Sequence, residues 1–96
     1  MKTLRILITG RVQGVGFRDW LVSHATQLGL SGWVRNSDFD AVEAVISGPA
    51  EAVDRCTQRC WQGPTSAAVA NITITEAPPA SETGFTRRSS TTPIVE

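Results

Sequence analysis

The chain has 96 residues, 41% of them hydrophobic and 19% charged, with nine basic and nine acidic side chains and a formal net charge of zero. That is the composition of one ordinary globular domain with a modest core, and it excludes disordered, collagen-like and membrane-spanning classes. A balanced charge also removes any long-range pull on nucleic acid or an anionic membrane, so neither is an expected partner and an anion must be attracted locally.

The opening MKTLRILITG has only a short apolar run, broken by Arg5, and no small-residue cleavage pattern. It reads as neither a signal peptide nor a membrane span, so the cytoplasm is the expected location. Within it Leu4, Ile6 and Ile8 alternate with Arg5, Leu7 and Thr9, which is the period of a strand with one apolar face. From Phe17 the period lengthens. Phe17, Trp20, Leu21, Ala25 and Leu28 recur at steps of three and four, with Gly29 placed to end a helix. GWVRN (32–36) and VEAVISG (42–48) then predict two strands joined by the polar turn SDFDA, a hairpin. A second helix is expected from Pro49 in its first turn to Trp61, stopped by Gly63 and Pro64. Val53, Cys56 and Cys60 share one face of it, so the two cysteines read as reduced core thiols; their spacing suits neither a zinc site nor a disulfide framework. Alternation returns from Ala68 to Thr75, with Ala70, Ile72 and Ile74 expected on one side. GFTRR could add a short fifth strand at an edge.

The order β, α, β, β, α, β predicts the ferredoxin-like α+β sandwich, an antiparallel sheet with both helices on one face. The domain is expected over residues 1–88, with 89–96 as a flexible tail.

Between the first strand and the first helix lies GRVQGVGFR, Gly10 to Arg18. Glycines at 10, 14 and 16 allow positive φ and let consecutive N–H groups turn inward, while the helix start adds its partial positive charge; such a place binds anions. The spacing fits neither a Walker loop nor a dinucleotide GxGxxG fingerprint, in which Asp19 stands where the third glycine belongs. Arg18 sharpens the reading. A cation in the first helical turn opposes the macrodipole at a cost of roughly 0.3–1 kcal/mol, and a bound anion would reverse that sign. Its planar fork of donors matches phosphate oxygens as lysine could not.

GRVQGVGFR followed after a helix by GWVRN resembles the signature pair of the acylphosphatases, and the resemblance extends through Gly63 and Pro64 into the fourth strand. It implies a metal-independent acylphosphatase that needs no cofactor. Such an enzyme hydrolyses the carboxyl–phosphate bond of small acyl phosphates to a carboxylate and inorganic phosphate. By the same resemblance Arg18 binds the substrate phosphate and Asn36 positions the attacking water. The backbone of Arg11, Val12, Gln13, Gly14, Val15, Gly16 and Phe17 forms the phosphate cradle. Ser37 is a candidate to support the Asn36 amide. The chemistry is coherent: a carboxylate leaving group has a pKa of about 4 and needs no general acid, and phosphoryl transfer asks mainly for positioning and charge stabilisation.

The chain departs from the family pattern with Asp40 where a hairpin glycine is usual, and at its C-terminus. Asn36 taken alone would read as a turn residue, His24 as a partly buried structural histidine, Asp38 and Asp40 as turn formers, and Trp20, Trp33 and Trp61 as core or rim packing. RNA recognition modules share the element order, but LRILIT and VEAVIS lack the aromatic residues that stack bases. Two further readings are an acylphosphatase-like domain serving a larger maturation protein and an inactive anion-binding module. The end of the chain after one domain favours a free-standing enzyme, and a monomer is the expected state.

Overall fold

Alternation in the first strand decides which of its faces is buried: Leu4, Ile6 and Ile8 are almost inaccessible, while Arg5 between them is exposed. The computed structural model describes residues 1–38, 40–79 and 81–89. Its elements are β1 (Lys2–Arg11), α1 (Phe17–Gln27), β2 (Ser31–Ser37), β3 (Ala41–Gly48), α2 (Ala50–Arg59), β4 (Ala68–Glu76) and β5 (Phe85–Arg87). The sheet runs β4-β1-β3-β2-β5. Its four long strands are antiparallel neighbours, as the ferredoxin-like order requires, and β5 adds a parallel edge against β2, which makes the sheet mixed. The expected tail lies outside the described residues, apart from Ser89.

Both helices cover the face that carries Ile6 and Ile8. Phe17, Leu21 and Ala25 of α1 and Val53, Cys56 and Cys60 around α2 join one cluster with Val34, Val42 and Ile46. Burying each larger side chain contributes about 1.5–3 kcal/mol, before the entropy of ordering the chain is set against it. Helix α1 ends as its sequence predicts: Gly29 donates to the Thr26 carbonyl at 3.0 Å and Leu30 to the Ala25 carbonyl at 2.9 Å, the paired bonds of a Schellman motif. The hairpin between β2 and β3 carries Asp40 at φ 61°, the left-handed conformation for which glycine is usual. Among the described residues no helix is long and apolar enough to cross a membrane.

Three details differ from the sequence reading. Pro49 is the N-cap of α2 instead of a first-turn residue, and the helix stops at Arg59. Beyond it Trp61 and Gln62 donate back to Gln58 and Arg59 in tightened i→i+3 bonds, so Trp61 leaves the buried stripe and is 47% exposed. In β4 only Ile72 is buried; Ala70 and Ile74 are exposed, because β4 is an edge strand and a bulge opposite Thr9 and Gly10 turns Val69 to the core instead. The two thiols do pack as core groups. A hydrogen bond with Cys56 and burial together hold the Cys60 thiol well above the ordinary thiol range, so it stays protonated.

Candidate active site

The strand-to-helix loop is pinned at both ends by buried side chains, Val12 and Phe17, each 1% exposed. Between them Gly14 and Gly16 take φ of 73° and 80° with no atom within 4 Å of where a Cβ would stand, so the backbone conformation and not space requires glycine there. Gly10 is different. It sits at the β-bulge, where a Cβ would press on the Ala68 carbonyl and lie 2.6 Å from the Ala70 nitrogen; its task is to let β4 approach.

The consequence for hydrogen bonding is the central feature of the site. The first bond that closes the helix runs from the Trp20 amide to the Gly16 carbonyl at 3.0 Å, and Gly16, the N-cap, offers no side-chain cap. Among the described residues none of the backbone amides from Gln13 to Asp19 donates a hydrogen bond. A run of unspent donors beside a helix N-terminus is a concave positive surface. The loop itself is held by Gln13, whose Nε2 donates to the Ser37 and Ala41 carbonyls at 2.9 and 2.8 Å. This tie between loop and hairpin is absent from the sequence reading, which used only the backbone of Gln13; nothing in the sequence spacing of 24 and 28 residues signals it.

A cleft of about 70 Å³ opens over these amides. Gly14, Gly16 and Arg18 line it from the loop and helix start, Asp19 from the first turn, Asn36 from β2 and Arg87 from β5. Arg18 and Asn36, eighteen residues apart, are thus brought to one place. Each is half-buried, and neither side chain has a hydrogen-bond or ion-pair partner among the described residues. Arg11 lies in the strand ladder opposite Ala68, Val15 packs against the core, and neither lines the cleft. Ser37 meets the loop through its backbone carbonyl, and its hydroxyl does not hydrogen-bond Asn36. The His24 ring lies tilted against Trp20, 4.4 Å between centroids, well along α1 from the loop. Arg87 is the residue that the sequence reading missed: its Nη1 donates to Asp19 Oδ1 at 2.6 Å. A larger concavity of about 630 Å³ follows α2, but its lining of Glu51, Asp54, Arg55 and Arg59 mixes both signs of charge without converging polar groups.

The model of the acylphosphatase family matches residues 4–87. The chain belongs to the acylphosphatase family. It is similar to the acylphosphatase of Azorhizobium caulinodans, 53% identical over 85 residues that cover 86% of this chain and 90% of the relative. With the acylphosphatase of Acidiphilium cryptum the identity is 46% over 84 residues, covering 88% and 92% of the two chains. Among solved structures, an acylphosphatase from Coxiella burnetii superposes with a TM-score of 0.86 at 33% identity, covering 91% of this chain and 92% of that one. Family and fold together support acylphosphatase activity, and so a hydrolase.

Proposed function

We propose that the cleft binds the phosphoryl group of a small acyl phosphate and directs water at phosphorus. The observation that carries this reading is the convergence of unspent amides, Arg18 and Asn36 on a space of about 70 Å³, which accommodates a phosphoryl group and leaves the acyl part outside. The amides of the loop and the Arg18 guanidinium hold the non-bridging oxygens, whose charge they stabilise as the bond to the leaving oxygen lengthens. Asn36 accepts from water through its carbonyl or donates through its NH₂, and so aims an oxygen lone pair along the line of attack. Water attacks phosphorus, the bond from phosphorus to the acyl oxygen breaks, and the products are inorganic phosphate and a carboxylate that departs without protonation. Backbone donors and one guanidinium supply the charge stabilisation this chemistry needs, so the reaction is proposed to run without a metal.

Hydrolysis of benzoyl phosphate, assayed with and without a chelator, tests the reading. Wild-type activity should survive the chelator. Arg18→Ala should lose at least about 100-fold in kcat/KM, the usual cost of deleting one preorganised donor, with much of the loss in KM. Asn36→Ala should fold and keep its affinity for phosphate but lose turnover. Full turnover in Asn36→Ala removes the water-positioning role, and an inactive wild type removes the reading.

A further inference from the structure

Arg87 is a cation in the cleft for which the reaction above has no use. Strand β5 pairs in parallel with β2 so that Arg87 lies beside Val34, two residues before Asn36. Its side chain therefore leaves the sheet on the same face as Asn36, one diagonal step away. It does not point free into the cleft, because Asp19 in the first turn of α1 holds it. That pair is exposed, at 45% for the arginine and 72% for the aspartate, and pairs of this kind contribute little to stability. A contact that weak is readily exchanged for a dianion.

We propose that Arg87 is a second phosphate-binding cation, held in reserve by Asp19 and shared with the phosphoryl group when one is bound. The inference rests on the phosphate reading of the cleft. In-line attack from the Asn36 side sends the acyl group to the opposite side of phosphorus, so Arg87, a neighbour of Asn36, meets non-bridging oxygens and not the acyl chain. Those oxygens are charged in substrate and product alike. Arg87 therefore acts on KM and on product affinity more than on kcat. Asp19 acts in the other direction: it competes for Arg87 and adds its own repulsion, which keeps inorganic phosphate from lingering after the carboxylate has left.

Opposite signs in two single variants distinguish this from a structural clamp between α1 and β5. Inorganic phosphate is measured as a competitive inhibitor of benzoyl phosphate hydrolysis by wild type, Asp19→Asn, Arg87→Gln and Arg87→Lys. The inhibition constant should fall about threefold in Asp19→Asn, rise about fivefold in Arg87→Gln, and lie between wild type and Arg87→Gln in Arg87→Lys. KM should follow in each case, and all differences should shrink at high salt because the groups are exposed. A clamp would move Asp19→Asn and Arg87→Gln the same way; that result, or an unchanged constant in Arg87→Gln, overturns the inference while an active wild type leaves the phosphate reading standing. A wild type that neither hydrolyses benzoyl phosphate nor is inhibited by phosphate overturns both.

Discussion

On the face of the sheet away from the helices, Arg5 and Arg35 both grip Glu43, and Arg35 and Arg88 flank the Trp33 ring at 4.9 and 4.4 Å from its centroid. In the cleft, Arg18 has no carboxylate partner among the described residues. The two regions have the same kind of side chain and opposite bookkeeping. On the open face the cations are spent: Glu43 is only 5% exposed, with Arg5 Nε at 2.6 Å from one oxygen and Arg35 Nη2 at 2.7 Å from the other. Burial pushes the Glu43 carboxyl up, but the hydrogen bonds and charges of Arg35 and Arg5 outweigh it and leave its pKa below the ordinary value. In the cleft the donors have been left over, both on Arg18 and along the loop backbone. What separates Arg18 from the arginines of the open face is therefore that its donors have no partner among the described residues.

Removing Glu43 should leave the open face with unpaired cations like that of the cleft. Glu43→Ala leaves two cations facing each other across β3, and since both arginines are partly exposed the cost should be about 2 kcal/mol, below that of a fully buried pair. Denaturant unfolding should report that loss while the folded variant keeps wild-type kcat with benzoyl phosphate. A large drop in kcat instead would mean that the two regions are coupled.

A smaller effect is expected where the regions meet. Gln13→Ala deletes two part-buried hydrogen bonds that tie the glycine loop to the hairpin, worth about 1–2 kcal/mol together. Steady-state kinetics should show a higher KM, because the amides must be ordered by the substrate, and a smaller change in kcat. An unchanged KM would show that the pinned ends, Val12 and Phe17, hold the loop alone.

The least change should come from pH. Because the folded pKa of Glu43 is depressed, its stabilisation is fully present above the ordinary carboxyl value of 4.5 and is lost as pH falls through the lower folded value. Glu43→Gln should therefore be less stable than wild type near neutrality, with the gap narrowing as the medium becomes acid. A constant gap would assign the cost to lost packing and not to charge.

Much of this was legible in advance because it is local. Alternation in LRILIT, the change of period at Phe17 and the residues Gly29 and Asp40 each carry their structural meaning within a few positions, and the helices and hairpin follow. Two exceptions lie in the sheet. Ile74 reads as core by alternation and pairs with Ile6 in register, yet its strand has a neighbour on one side only. Trp33 reads as core or rim packing, and the partners it takes are two guanidiniums on the open face, which its local sequence does not signal.

Element order, the positive-φ glycine loop and the candidacy of Arg18 and Asn36 are readable along the chain, since each rests on periodicity, on backbone conformation or on a contiguous motif. The assembled sheet adds that Gly10 lets β4 approach at the bulge while Gly14 and Gly16 serve the loop, that the Gln13 side chain locks that loop to the hairpin, and that Arg87 reaches Asp19 across 68 residues. Those facts depend on which strands become neighbours and in what register. Pairing of distant backbones fixes that, and no short stretch of sequence contains it.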